Sequence, residues 1–98
     1  MADAKDFISV FHQSHTQVKI WHNQTTSYSE HKALGHYYEG ILELIDGLVE
    51  SIQGYRPRIT GYTTKPLVDW EEGQSVEYLK GLCEYVAKVK QLINHIGV

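Results

Sequence analysis

Residues 30–54 read EHKALGHYYEGILELIDGLVESIQG, and the fold turns on how this stretch is read. Leu34, Tyr38, Ile41, Ile45, Leu48 and Ile52 recur at alternating steps of four and three, the spacing of one face of an α-helix. Ser29 is available as an N-cap and Gly54 as a stop, so the pattern predicts a helix from 30 to about 53. At about 100° per residue, Glu39, Glu43, Asp46 and Glu50 form a second, acidic stripe nearly opposite the apolar one.

The flanks are also helical. Upstream, Ile8, Phe11, His15, Val18 and His22, with Phe7 and Trp21 beside them, follow the same spacing and predict a helix over about 4–28 with Asp3 as N-cap. Downstream, Leu79, Leu82, Val86, Val89, Ile93 and Ile96 predict a helix over about 75–96. Ser75 is its N-cap and Gly97 with Val98 its ending. Between them, residues 55–74 hold both prolines and two glycines and have no helical period. They read as a connector whose β-branched residues run extended.

Connector length then sets topology. The first two helices are separated by a few residues and should be antiparallel. A strap of about 20 residues at about 3.3 Å per residue exceeds what a hairpin needs. It is long enough to return along the bundle and start a third helix parallel to the second. The expected architecture is all-α, a single domain over 1–98, with a long crossover between helices two and three. This is the crossover of ferritin-like bundles, and a fourth helix is absent. Three such helices leave an apolar groove that association would cover.

Composition narrows the function. A 98-residue chain supports one modest core. No apolar run nears the ~20 residues of a membrane span, and the start MADAKDFISV does not resemble a secretory signal. A cytoplasmic setting, or a particle assembled in one, is expected. A net charge of −3 with scattered Lys and Arg disfavours nucleic acid, whose binding rests on neutralised phosphates. The lone Cys83 offers neither a disulfide nor a thiolate zinc site and reads as a small core thiol. No nucleophile elbow or phosphate-cradling glycine loop occurs.

With Trp21–His22 closing the first helix, His31 opening the second, and Asp46 and Glu50 along it, the chain resembles the Dps branch of the ferritin-like superfamily. It is also similar to small ferritin-like proteins encoded by tailed phages of marine bacteria. The resemblance covers about residues 7–54 by motif and the rest by architecture. It implies iron, or another divalent metal, bound between two subunits of a homo-oligomer, with Fe(II) oxidation as the associated reaction. The family pattern on the second helix is a His, an Asp four residues on, and an Asp and a Glu fifteen and nineteen residues on. His31, Asp46 and Glu50 match three of these, and Gly35 stands at the other. The family's first-helix His falls on Lys19, with His22 the nearest substitute and His15 the next. The implied metal ligands are therefore His22, His31, Asp46 and Glu50. At 1.5 Å per residue, His31 and Asp46 lie about 22 Å apart on one helix, so they would meet only across two copies.

Plainer readings stand beside these. The acidic stripe is also what a solvated helix face looks like, and His15 and His22 also suit the edge of a core, bonded to backbone or hydroxyl groups. His12, His36 and His95 read as surface residues, and Tyr37, Tyr38, Tyr78 and Tyr85 as packing residues whose hydroxyls reach the surface. Two functions remain: metal binding between subunits, or a non-enzymatic helical module for assembly.

Overall fold

The computed structural model describes residues 4–54 and 57–95. Among these residues are three helices in the order predicted: α1 (Ala4–Gln24), α2 (Tyr28–Gln53) and α3 (Gln74–His95). The molecule is elongated, 44 × 24 × 22 Å. The expected caps at Asp3 and at Gly97–Val98, and the stripe position Ile96, lie outside the described residues.

Local chemistry corrects the predicted boundaries. α1 stops at Gln24 rather than near 28. Ser27, not Ser29, caps α2, being in extended backbone with its Oγ accepting from the Glu30 N–H. This satisfies one of the donors left free at a helix start. Gly54 does close α2, but with φ −64° and its N–H on the Glu50 carbonyl, so the stop needs no left-handed residue. α3 begins at Gln74, after Gly73 at φ +80°. Ser75 lies inside the first turn, buried, and its hydroxyl donates to Glu30 Oε2.

α1 and α2 pack along each other, joined by the short turn 25–27, and α3 meets α1 over a smaller stretch. Ser75, at the start of α3, bonds Glu30 at the start of α2. Further along α3, burial and then the Asp6 carboxylate push the Tyr85 hydroxyl up. α3 therefore runs parallel to α2 and antiparallel to α1, as the strap length requires.

The core is small. Val18, Trp21 and Leu34 form its centre, with Tyr37, Tyr38, Trp70, Tyr78 and Leu79 packed around them, and Ile8 and Ile45 are buried besides. The predicted stripes face inward at these positions but do not all close over. Leu48 is 36% and Val86 41% exposed. Cys83 is exposed, which corrects its reading as a core thiol. It lies about 100° round the helix from Leu82, on the same edge as the exposed Val86.

The strap lies against α1 in extended form without becoming a strand. Ser9, Gln13, Gln17, Trp21 and Gln24 hold it by its backbone. Ser9 Oγ accepts from Thr63 N (3.0 Å) and Gln13 Oε1 from Lys65 N (3.0 Å). The Gln17 amide accepts from Val68 N and donates to Val68 O, both at 2.8 Å. Trp21 Nε1 adds a second donor to Val68 O (2.8 Å), and Gln24 Oε1 accepts from Trp70 N (2.7 Å). The register has a simple cause. From Ser9 to Gln24 α1 rises about 22 Å, and from Thr63 to Trp70 the extended strap spans about 23 Å, so the two segments keep pace over the whole ladder.

Candidate functional site

The first of the predicted ligand groups forms at the α1–α2 turn. His22 and His31 stack, with ring centroids 3.8 Å apart and planes 17° apart. Each reaches the other's backbone: His22 Nδ1 to the His31 carbonyl at 2.5 Å and His31 Nδ1 to the His22 carbonyl at 2.7 Å. A carbonyl can only accept, so each Nδ1 carries the hydrogen, and in a singly protonated ring Nε2 is the nitrogen left as an acceptor. The pair is a reciprocal clasp that closes the hairpin. It realises the expectation that His22 bonds to backbone at a core edge.

The surroundings seat the clasp. Gly35 lies beneath His22, where a Cβ would come within 3.0 Å of Cε1 and 3.2 Å of Nδ1. Tyr38 meets His22 edge to face at 5.2 Å and His15 at 5.9 Å, and Lys19 Nζ stands 5.7 Å over the Tyr38 ring. Burial, with Lys19 and His12 adding their charge, holds the His15 imidazole below its ordinary value. Tyr28 flanks His31 on the outside.

Stacking limits what the two rings do for a metal. An ion bound through Nε2 lies in the plane of its imidazole at about 2 Å. Two planes 17° apart at this spacing intersect only on the order of 10 Å away, well beyond that ~2 Å bond. The stacked pair therefore offers two separate single-imidazole positions rather than one chelate. Asp46 and Glu50 are exposed and lie far along α2 from His31. Among the described residues, no three His, Cys, Asp or Glu side chains gather as a metal-holding group. His22 and His31 are thus brought together, and Asp46 and Glu50 do not join them within one chain. Glu39 and Glu43 are exposed with them, so the whole acidic stripe faces solvent.

Glu30 is the residue that sequence reading missed. Its carboxylate accepts from Thr25 Oγ1, from Ser75 Oγ and, at 2.8 Å, from Trp70 Nε1. It thereby ties the α1–α2 turn, the end of the strap and the first turn of α3. Burial works to raise its carboxyl, but the three donors outweigh it and hold the group below its ordinary value. The sequence signal was slight: a first-turn Glu after a Ser cap, ordinarily an exposed capping residue.

His12 and His36 are exposed as expected, and the His95 side chain lies outside what is described. Tyr37, Tyr38, Tyr78 and Tyr85 are all partly buried. The Tyr37 hydroxyl pairs with Ser14 Oγ at 2.7 Å instead of ending in water. No helix among the described residues is long and apolar enough to cross a membrane.

No curated protein and no solved structure matches the chain. One family profile does, over residues 22–97, a span that opens at His22 of the clasp and takes in α2, the strap and all of α3. The chain belongs to that family, DUF5856, a family of unknown function.

Proposed function

We propose that this chain is a non-enzymatic helical assembly module that functions by associating with copies of itself. The observation that carries this reading is unburied apolar surface. Leu42, Leu44, Leu48, Val76 and Val86 are all substantially exposed on α2 and α3. The total accessible surface is 6974 Å², against about 5,700 Å² for a compact monomer of this mass. The test is sedimentation velocity over a wide range of concentration, with and without EDTA. A dimer or larger oligomer that ignores the chelator is the expected result. A monomer throughout would end the reading.

A second reading is binding of iron or another divalent metal between subunits in the manner of ferritin-like Dps proteins. One observation favours it: both Nδ1–H groups are held by backbone carbonyls, the arrangement that orients a ligating imidazole and leaves Nε2 available. Asp46 and Glu50 of a second copy would then have to reach His22 or His31. Aerobic Fe(II) oxidation above a protein-free control, lost in Asp46→Ala, supports it. Wild-type behaviour in Asp46→Ala and His31→Ala alike removes it.

A further inference from the structure

α2 carries a second heptad stripe of which the described fold uses Tyr37 alone. Ala33, Tyr37, Gly40, Leu44, Gly47 and Ser51 recur at steps of four and three, each one residue before a member of the buried stripe and so turned about 100° from it. Tyr37 is occupied by Ser14, and the rest are exposed. Leu44 is 69% exposed, the most of any leucine among the described residues, and Leu48 sits beside it at 36%. A Cβ added at Gly40 or Gly47 would meet nothing within 4 Å. Gly40 and Gly47 are thus notches either side of the Leu44 knob, and Leu48, on the exposed edge of the adjoining apolar stripe, supplies a second knob.

We infer that a second copy of the chain docks on this seam, α2 against α2, antiparallel about a two-fold axis beside Leu44. The inference rests on the self-association proposed above and names its surface. Leu44 then meets its own counterpart. Leu48, about 6 Å further along, enters the notch at Gly40 of the second copy, which lies the same distance on the other side. The contact is self-complementary, as an isologous interface requires, and the glycines let the helices approach closely.

Two further observations fit a second copy. The surface in excess of a compact monomer's, about 1,200 Å² by the scaling relation, is of the order that one partner contributes to a stable interface. The acidic stripe of Glu39, Glu43, Asp46 and Glu50 lies roughly 120° around the helix from the seam. Copies pairing here do not set like charges against each other, whereas pairing through the acidic face would.

The test uses the full chain. Leu44→Lys keeps a good helix former at an exposed position, so helicity by circular dichroism should be unchanged while the dimer dissociation constant rises at least about tenfold. In a Cys83→Ser background, Leu44→Cys should form a 44–44 disulfide under mild oxidation, and Glu43→Cys, turned about 100° away, should not. An oligomer unaffected by Leu44→Lys, with no selective cross-link, overturns this interface and leaves self-association standing. A parent chain that stays monomeric, its seam taken by another protein or by further chain, overturns both.

Discussion

Gly35 is the seat of the His22 imidazole: a Cβ at position 35 would lie 3.0 Å from Cε1 of the ring. A residue that resemblance places where a family ligand would stand has a steric duty instead. It gives His22 the room to stack on His31 and donate to its carbonyl.

Gly35→Ala tests that duty. In an open helix the change should stabilise by about 1 kcal/mol. Here the added methyl displaces a ring held by stacking and a hydrogen bond, and overpacking of this kind costs about 1–3 kcal/mol. The net result should be destabilisation, read as a lower urea midpoint at unchanged slope. A gain in stability would mean that the clasp yields freely.

The strap offers a separate test at Gln17. This buried amide pairs both ways with the Val68 peptide, much as a neighbouring strand would. Gln17→Ala strips Val68 N–H of its partner and leaves Val68 O with Trp21 alone. A lost pair of this kind costs about 1–3 kcal/mol. Amide exchange should quicken first at Val68, then at Lys65 and Trp70. Uniform protection across the strap would show that the amide ladder is not what holds it.

These two sites mark the limit of what the sequence conveys. α2 was legible because Leu34, Tyr38, Ile41 and Ile45 repeat at helical spacing and burial enforces that period. The parallel placement of α3 followed from strap length. The ladder was not legible, because Ser9, Gln13, Gln17 and Gln24 occupy an ordinary polar face in one dimension. Their partner is a backbone some 50 residues away, and a peptide group leaves no side-chain signature. A clue was present: from Ser9 to Gln24 that face carries hydroxyl and amide groups but no Asp, Glu, Lys or Arg. The histidine pair was half legible. Spacing placed His22 and His31 at the same turn, but it could not distinguish a stack from a chelate.

Acid stability should report on Glu30. Its carboxyl is held below the ordinary value of 4.5, burial opposing and the Ser75, Thr25 and Trp70 donors prevailing. The folded state therefore binds this proton less readily than the unfolded chain. The resulting stabilisation is present above the unfolded value and is lost as pH falls through the folded one. Glu30→Gln should flatten the stability curve below about pH 4.5 and lower stability at neutral pH, since a carboxamide has one acceptor oxygen for three donors. A variant with the parent's acid limb would remove Glu30 as its source.

Alkaline behaviour should isolate Tyr78. Its ring meets Trp21 edge to face at 5.2 Å, and burial, with the Tyr37 hydroxyl adding to it, pushes its own hydroxyl up to about 12 from 10.0. A raised folded value works in the opposite sense to Glu30. The stabilisation is full below the unfolded value and is lost as pH rises from about 10 to about 12, because only the unfolded chain ionises freely there. Ultraviolet titration of the native protein should therefore show a late component of tyrosine ionisation, from Tyr78, that is coupled to unfolding. Tyr78→Phe keeps the contact with Trp21, removes the late component and extends the stable range upward. If the late component survives in Tyr78→Phe, the ring that resists ionisation is another one, and the packing of α3 on Trp21 is looser than this geometry requires.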